Sequence, residues 1–118
     1  MKKFLKGFYF AFEGMRYSFS TQLNFRVHCF VAVLITGLGF YLGLSTAEWL
    51  WIITAMALVL MAELANTAIE TLVDLVSPEF NPKAGLIKDI SAAAVFIAAV
   101  MALITGILIL LPKIIYAA

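Results

Sequence analysis

Four polar side chains interrupt a long apolar run: Glu63, Asn66, Glu70 and Asp74. Their spacings of three, four and four residues set them on one face of a helix. Carboxylates and an amide aligned in this way suit two kinds of chemistry. A carboxylate held away from water can take a proton as a general base, and carboxylate or amide oxygens are the ligands a hard divalent cation prefers. Depth sharpens the case for Glu63. The uncharged residues from Trp49 to Ala62 place it about 21 Å along a helix that rises about 1.5 Å per residue, within or at the edge of a bilayer's hydrocarbon. A carboxylate near the bilayer centre costs about 2.5–3.5 kcal/mol on insertion scales, so it either faces a protein interior or serves a function. The neighbouring pair Lys88-Asp89 falls at the depth of the lower stripe and could complete a joint site. Plainer readings stand beside these. Asp74 alone reads as a solvated residue where the helix leaves the membrane, Asn66 as an interhelical hydrogen bond, Lys88-Asp89 as an interfacial anchor and His28 as an interface residue.

The elements that must hold these residues follow from composition. In 118 residues, 64% are hydrophobic and 13% charged, with a mean hydropathy of +1.06, far from the usual ~45–50% apolar and ~25% charged of a soluble domain. One membrane domain over 1–118 is expected, all-α, with three transmembrane helices and an N-terminal amphipathic interfacial helix. The interfacial helix covers 1–22, where Phe4, Phe8, Ala11, Phe12, Met15 and Phe19 recur at helical spacing among Lys2, Lys3, Lys6, Glu13 and Arg16. Those charges also argue against a cleavable signal peptide. The spans fall at about 28–44, 47–76 and 84–111, with Ser45 or Thr46 capping the second, Ser77-Pro78 ending it, Pro82 as a further breaker, and Pro112-Lys113 closing the third.

Seven basic residues (Lys2, Lys3, Lys6, Arg16, Arg26, Lys83, Lys88) lie on one side of this arrangement and Lys113 alone on the other. The positive-inside rule therefore puts the N-terminus and the 77–89 loop in the cytoplasm, with Trp49 and Trp51 at the opposite interface. The formal net charge of +1 excludes the broad basic field of a nucleic-acid binder. There is no phosphate-binding GxxxxGK[ST] loop and no GxGxxG. One His and one Cys, His28 and Cys29, allow no zinc cluster. Gly39-x-x-x-Gly43 and the series Ala94, Ala98, Ala102, Gly106 form small-residue faces for close helix packing.

The run Glu63-Leu64-Ala65-Asn66-Thr67-Ala68-Ile69-Glu70-Thr71-Leu72-Val73-Asp74 resembles the E-L-x-N-T-A-I-E-x-x-V-D signature of the small prokaryotic diacylglycerol and undecaprenol kinases. Lys88-Asp89 followed by Ser91-Ala92-Ala93-Ala94-Val95 stands at the family's separation, and Asn24-Phe25-Arg26-Val27-His28 is similar to its N-F-R-I-H. The resemblance covers nearly the whole chain. That last run, with Gly106 to Ile114, is more similar to the undecaprenol kinase branch.

This resemblance implies a homotrimer in the cytoplasmic (inner) membrane, with active sites between subunits and Mg2+-ATP-dependent phosphorylation of a lipid alcohol. Undecaprenol is the expected substrate and diacylglycerol the alternative. Carried over by motif, Glu63 is the catalytic base, Asn66 a positioning residue, Glu70 a metal ligand, and Lys88 with Asp89 part of the ATP site. Lys3, Phe10, Glu79, Phe80 and Asn81 align with further nucleotide contacts. Gln22 departs from the pattern, because the family has there an acid that shares the metal with the residue matching Glu70. An amide oxygen can replace it as a ligand but brings no charge. A competing class is a non-catalytic membrane subunit or a proton or ion carrier, since buried carboxylates also mark proton pathways. A carrier has no use for Lys88-Asp89 beside Glu70.

Overall fold

The computed structural model describes residues 1–117, which form four helices: α1 (Lys2–Thr21), α2 (Leu23–Leu42), α3 (Thr46–Val76) and α4 (Pro82–Ala117). The last three are long and apolar enough to cross a membrane. The protein is thus an all-α membrane protein of three spans with a leading amphipathic helix. Its longest dimension, 54 Å, is the length of α4, whose 36 residues extend about 54 Å at about 1.5 Å each. Both ends of α4 therefore reach past the hydrocarbon.

Local chemistry explains each boundary. Gln22 alone separates α1 from α2, with extended backbone (φ −115°, ψ 110°); its N–H donates to Ser18 O at 2.8 Å and its carbonyl accepts from Arg26 N–H at 3.2 Å. α2 thus starts at Leu23 and takes in the Asn24-to-His28 run ahead of the apolar stretch. It ends at Leu42 because Gly43 adopts the left-handed conformation, φ 67°, which glycine takes without a Cβ penalty. Gly43 is therefore a turn residue and not part of a packing face. Ser45 caps α3 in a reciprocal box, its hydroxyl accepting from Glu48 N–H at 3.2 Å while Glu48 Oε1 accepts from Ser45 N–H at 2.9 Å. Pro82 opens α4 as its first residue, where a missing N–H is harmless, so this proline begins the third span two residues before the expected start instead of preceding it.

Pro112 does not close α4. The helix runs through it to Ala117, because a membrane-embedded helix tolerates the lost N–H where neighbouring groups and packing hold the turn. Lys113, on the next position, bridges to Glu48 at 3.2 Å and ties the end of α4 to the start of α3. At this end sits the apolar core of Leu44, Ile52 and Leu110, with Leu38, Trp49 and Met56 packed against it. The Trp49 ring lies 4.9 Å from that of Phe40, and Trp51 is exposed.

One contact is tight enough to test. A Cβ on Gly39 would stand 2.7 Å from Trp49 Cη2 and 2.9 Å from Leu44 Cδ1, whereas one on Gly37 meets nothing within 4 Å. Gly39→Ala should therefore cost about 1–3 kcal/mol and lower the thermal midpoint in micelles, while Gly37→Ala leaves it unchanged or slightly raised. Equal behaviour of the two variants would contradict this packing.

Candidate active site

The far end of the bundle from this core carries the polar stripe. Glu63 is 3% exposed, and Thr67, one turn on, 4%; the Thr67 hydroxyl donates to the Glu63 carbonyl at 2.9 Å and so spends its donor on the backbone. Asn66 and Glu70 form the next rung. Asn66 Nδ2 donates to Glu70 Oε1 at 3.2 Å, while Asn66 Oδ1 is buried without a hydrogen-bond partner. A buried oxygen acceptor of this kind costs free energy until something fills it. At the outermost rung Lys88 Nζ donates to Asp74 Oδ1 at 2.6 Å across the α3/α4 interface. Asp74 is thus the solvated helix-end residue its position suggests, 67% exposed, and also an ion-pair partner; Lys88 faces it in preference to Glu70.

His28 is the residue that the reading of the sequence assigned too little. It lies on α2 with Nε2 3.3 Å from Glu63 Oε1, in contact with the buried carboxylate and not a bare interface residue. Its place is fixed one turn earlier. Phe25 is buried at 4% exposure, and residues three apart share a helix face, so packing Phe25 inward turns His28 toward α3. The signal was present in the Asn24-to-His28 run, which the resemblance had already picked out as a motif.

The remaining candidates are scattered around this ladder. Phe10 lies on α1 beside an open groove of about 700 Å³ that Ala11, Gly14 and Ser18 wall on one side and Thr67 and Thr71 on the other. Ser18 is buried on α1, whereas Phe4, Phe8 and Phe12 on the same helix are exposed. Gln22 is half-buried at the α1/α2 joint, its Nε2 3.4 Å from Thr21 Oγ1. Lys3, Glu79 and Asp89 are exposed, and Phe80 is 95% exposed. Asn81 has a local duty: its Oδ1 accepts from Lys83 N–H at 2.9 Å and caps α4. Within one chain, then, the structure brings His28 to Glu63, Asn66 to Glu70 and Lys88 to Asp74. It leaves Lys3, Asp89 and the 79–81 loop on the surface.

A buried carboxylate and an amide–carboxylate rung along α3, with a lysine reaching across from α4, are the kinds of group a phosphoryl transfer to a lipid requires. Comparison with known proteins points the same way. Residues 9–110 match the prokaryotic diacylglycerol kinase family model. The chain is 38% identical to an undecaprenol kinase of Bacillus subtilis over 96% of its own length and 92% of that protein. It is also 38% identical to a diacylglycerol kinase of Synechocystis over 92% of its length, spanning 62% of that longer protein. A diacylglycerol kinase of Haemophilus influenzae is 36% identical, with 75% of each chain covered. The chain belongs to the prokaryotic diacylglycerol kinase family of membrane lipid kinases.

Proposed function

We propose that this lipid kinase transfers the terminal phosphate of ATP to the hydroxyl of undecaprenol, working as a homotrimer at the cytoplasmic face of the inner membrane. The observation that carries the reading is the buried Glu63 carboxylate inside a span, followed at successive turns by Asn66-Glu70 and Asp74-Lys88. Membership of a kinase family implies ATP as co-substrate. The choice of undecaprenol is supported by the near full-length match to the Bacillus subtilis enzyme and by the Asn24-to-His28 run. Diacylglycerol is the second reading, favoured by the names of the Synechocystis and Haemophilus relatives.

The roles follow from chemistry and depth. Glu63 takes the proton from the lipid hydroxyl as it attacks, and the apolar groove between α1 and α3 gives the hydrocarbon tail a place beside it. Lys88 supplies a compact positive charge to the phosphates; its ammonium carries three donors, so engagement with Asp74 leaves others for phosphate oxygens. The exposed Phe80 ring offers a stacking face for the base, and Lys3, Phe10, Glu79, Asn81 and Asp89 add contacts from the rim and from adjacent subunits.

The residues also fit a magnesium ion. Glu70 and Gln22 would hold it, with Asn66 orienting the Glu70 carboxylate; the unpartnered Asn66 Oδ1 makes this rung rich in hard oxygens. Among the described residues no three His, Cys, Asp or Glu side chains gather into a cation site, so the ion would need phosphate oxygens and water as its other ligands. When bound, it neutralises charge on the transferring phosphate.

Purified protein in mixed micelles with ATP and Mg2+ should phosphorylate undecaprenol at least about tenfold better, by kcat/KM, than diacylglycerol. The reverse preference establishes the second reading, and no transfer to either lipid overturns both. Glu63→Gln should lower kcat by about 10²–10⁴-fold, the usual worth of a general base, with ATP binding retained. A fully active variant would remove Glu63 from that role. The Lys88–Asp74 pair is partly solvated on both sides, so Asp74→Asn should change stability by less than about 1 kcal/mol, and Lys88→Met should raise the KM for ATP severalfold. A large loss of thermal stability in Asp74→Asn would make the pair a structural clamp instead.

A further inference from the structure

Glu63 Oε1 stands 3.3 Å from His28 Nε2, yet it has no hydrogen-bond partner. The two groups are within reach but not aligned. Among the described residues the other ion pairs are Arg16–Glu13, Lys88–Asp74 and Lys113–Glu48, so no lysine or arginine is paired with Glu63. A carboxylate that must present one oxygen to an incoming hydroxyl gains from a neighbour that holds the other, as bases elsewhere are oriented by a third group. His28 is built to be that neighbour. Its side chain is about a quarter exposed, it sits on a different helix from Glu63, and the buried Phe25 one turn before it sets the rotation of α2.

We propose that His28 is a positioning residue for the catalytic carboxylate: its Nε2–H donates to Glu63 Oε1 and turns Oε2 toward the lipid hydroxyl. The proposal rests on Glu63 acting as the base. In the step it serves, the lipid oxygen bonds to the γ-phosphorus as the bridge to ADP breaks, and the hydroxyl proton passes to Glu63 Oε2. His28 keeps its own proton throughout. Thr67 cannot take this part, because its hydroxyl donates to the Glu63 backbone carbonyl, and the Asn66 amide is directed to Glu70.

The test compares His28→Leu, which keeps bulk and loses the donor, with His28→Gln, whose amide nitrogen can stand near the position of Nε2. In micelles with ATP, Mg2+ and undecaprenol, His28→Leu should lower kcat about 10–100-fold while the KM for ATP stays within about twofold, and His28→Gln should recover kcat to within about threefold of the parent. Adding His28→Leu to Glu63→Gln should produce no further loss, since there is no longer a base to orient. A fully active His28→Leu, or a Gln variant as impaired as the Leu variant, overturns the proposal. The base reading fails separately, through an active Glu63→Gln. A measurement on folded protein guards against a Leu variant that does not assemble: the 15N resonance of His28 Nε2 should shift between the parent and Glu63→Gln, and an unchanged resonance contradicts the contact itself.

Discussion

A carboxylate placed where the bilayer excludes water is the constraint on which the rest of this protein turns. Glu63 is 3% exposed in a helix that otherwise reads as a membrane span. Such a group is costly to bury and must be given surroundings that make it useful. Those surroundings come from several elements: His28 from α2, Thr67 and Asn66 from the following turn of α3, and the groove beside α1. None of them is a strong interaction alone. Together they make a polar cluster in an apolar setting.

Rigidity is placed at the other end. The capping box at Ser45, the Gly39–Trp49 contact, the Leu44-Ile52-Leu110 cluster and the Lys113–Glu48 bridge all lie where the α2/α3 hairpin meets the end of α4. The opposite end is held by the solvated Lys88–Asp74 pair and single-residue joints such as Gln22. This division suits an enzyme that admits two substrates of opposite character through one end of the bundle. The small-residue positions Ala94 and Gly106 on α4 reach little within the chain: Ala94 is exposed and a Cβ on Gly106 would meet nothing within 4 Å. That open surface fits the packing of further copies in the proposed trimer.

Much of this is legible in the order of the residues alone. Apolar length sets three spans, and the spacing of Glu63, Asn66, Glu70 and Asp74 puts them on one face because helical periodicity alone requires it. What pattern could not supply was pairing between helices. Nothing in the order of residues says that Lys88 meets Asp74, or that His28 meets Glu63, since both depend on the rotation of one helix against another. Pro112 departs from the sequence expectation for a related reason: proline ends helices in water, but in a membrane a continuous helix remains the way to satisfy the flanking backbone. The stripe of phenylalanines on α1 likewise marks an apolar face without saying that the small Ser18 would be the residue buried there.

We expect the nucleotide's phosphates and the lipid hydroxyl to meet at the His28–Glu63–Glu70 end of the bundle. Paramagnetic broadening of side-chain NMR signals by ATP loaded with Mn2+ in place of Mg2+ tests it most directly. Strong broadening is expected at His28 and Asn66 and none at Trp49 or Trp51, which lie at the opposite end. Broadening centred on the tryptophans, or absent from His28 and Asn66 at saturating nucleotide, would contradict it.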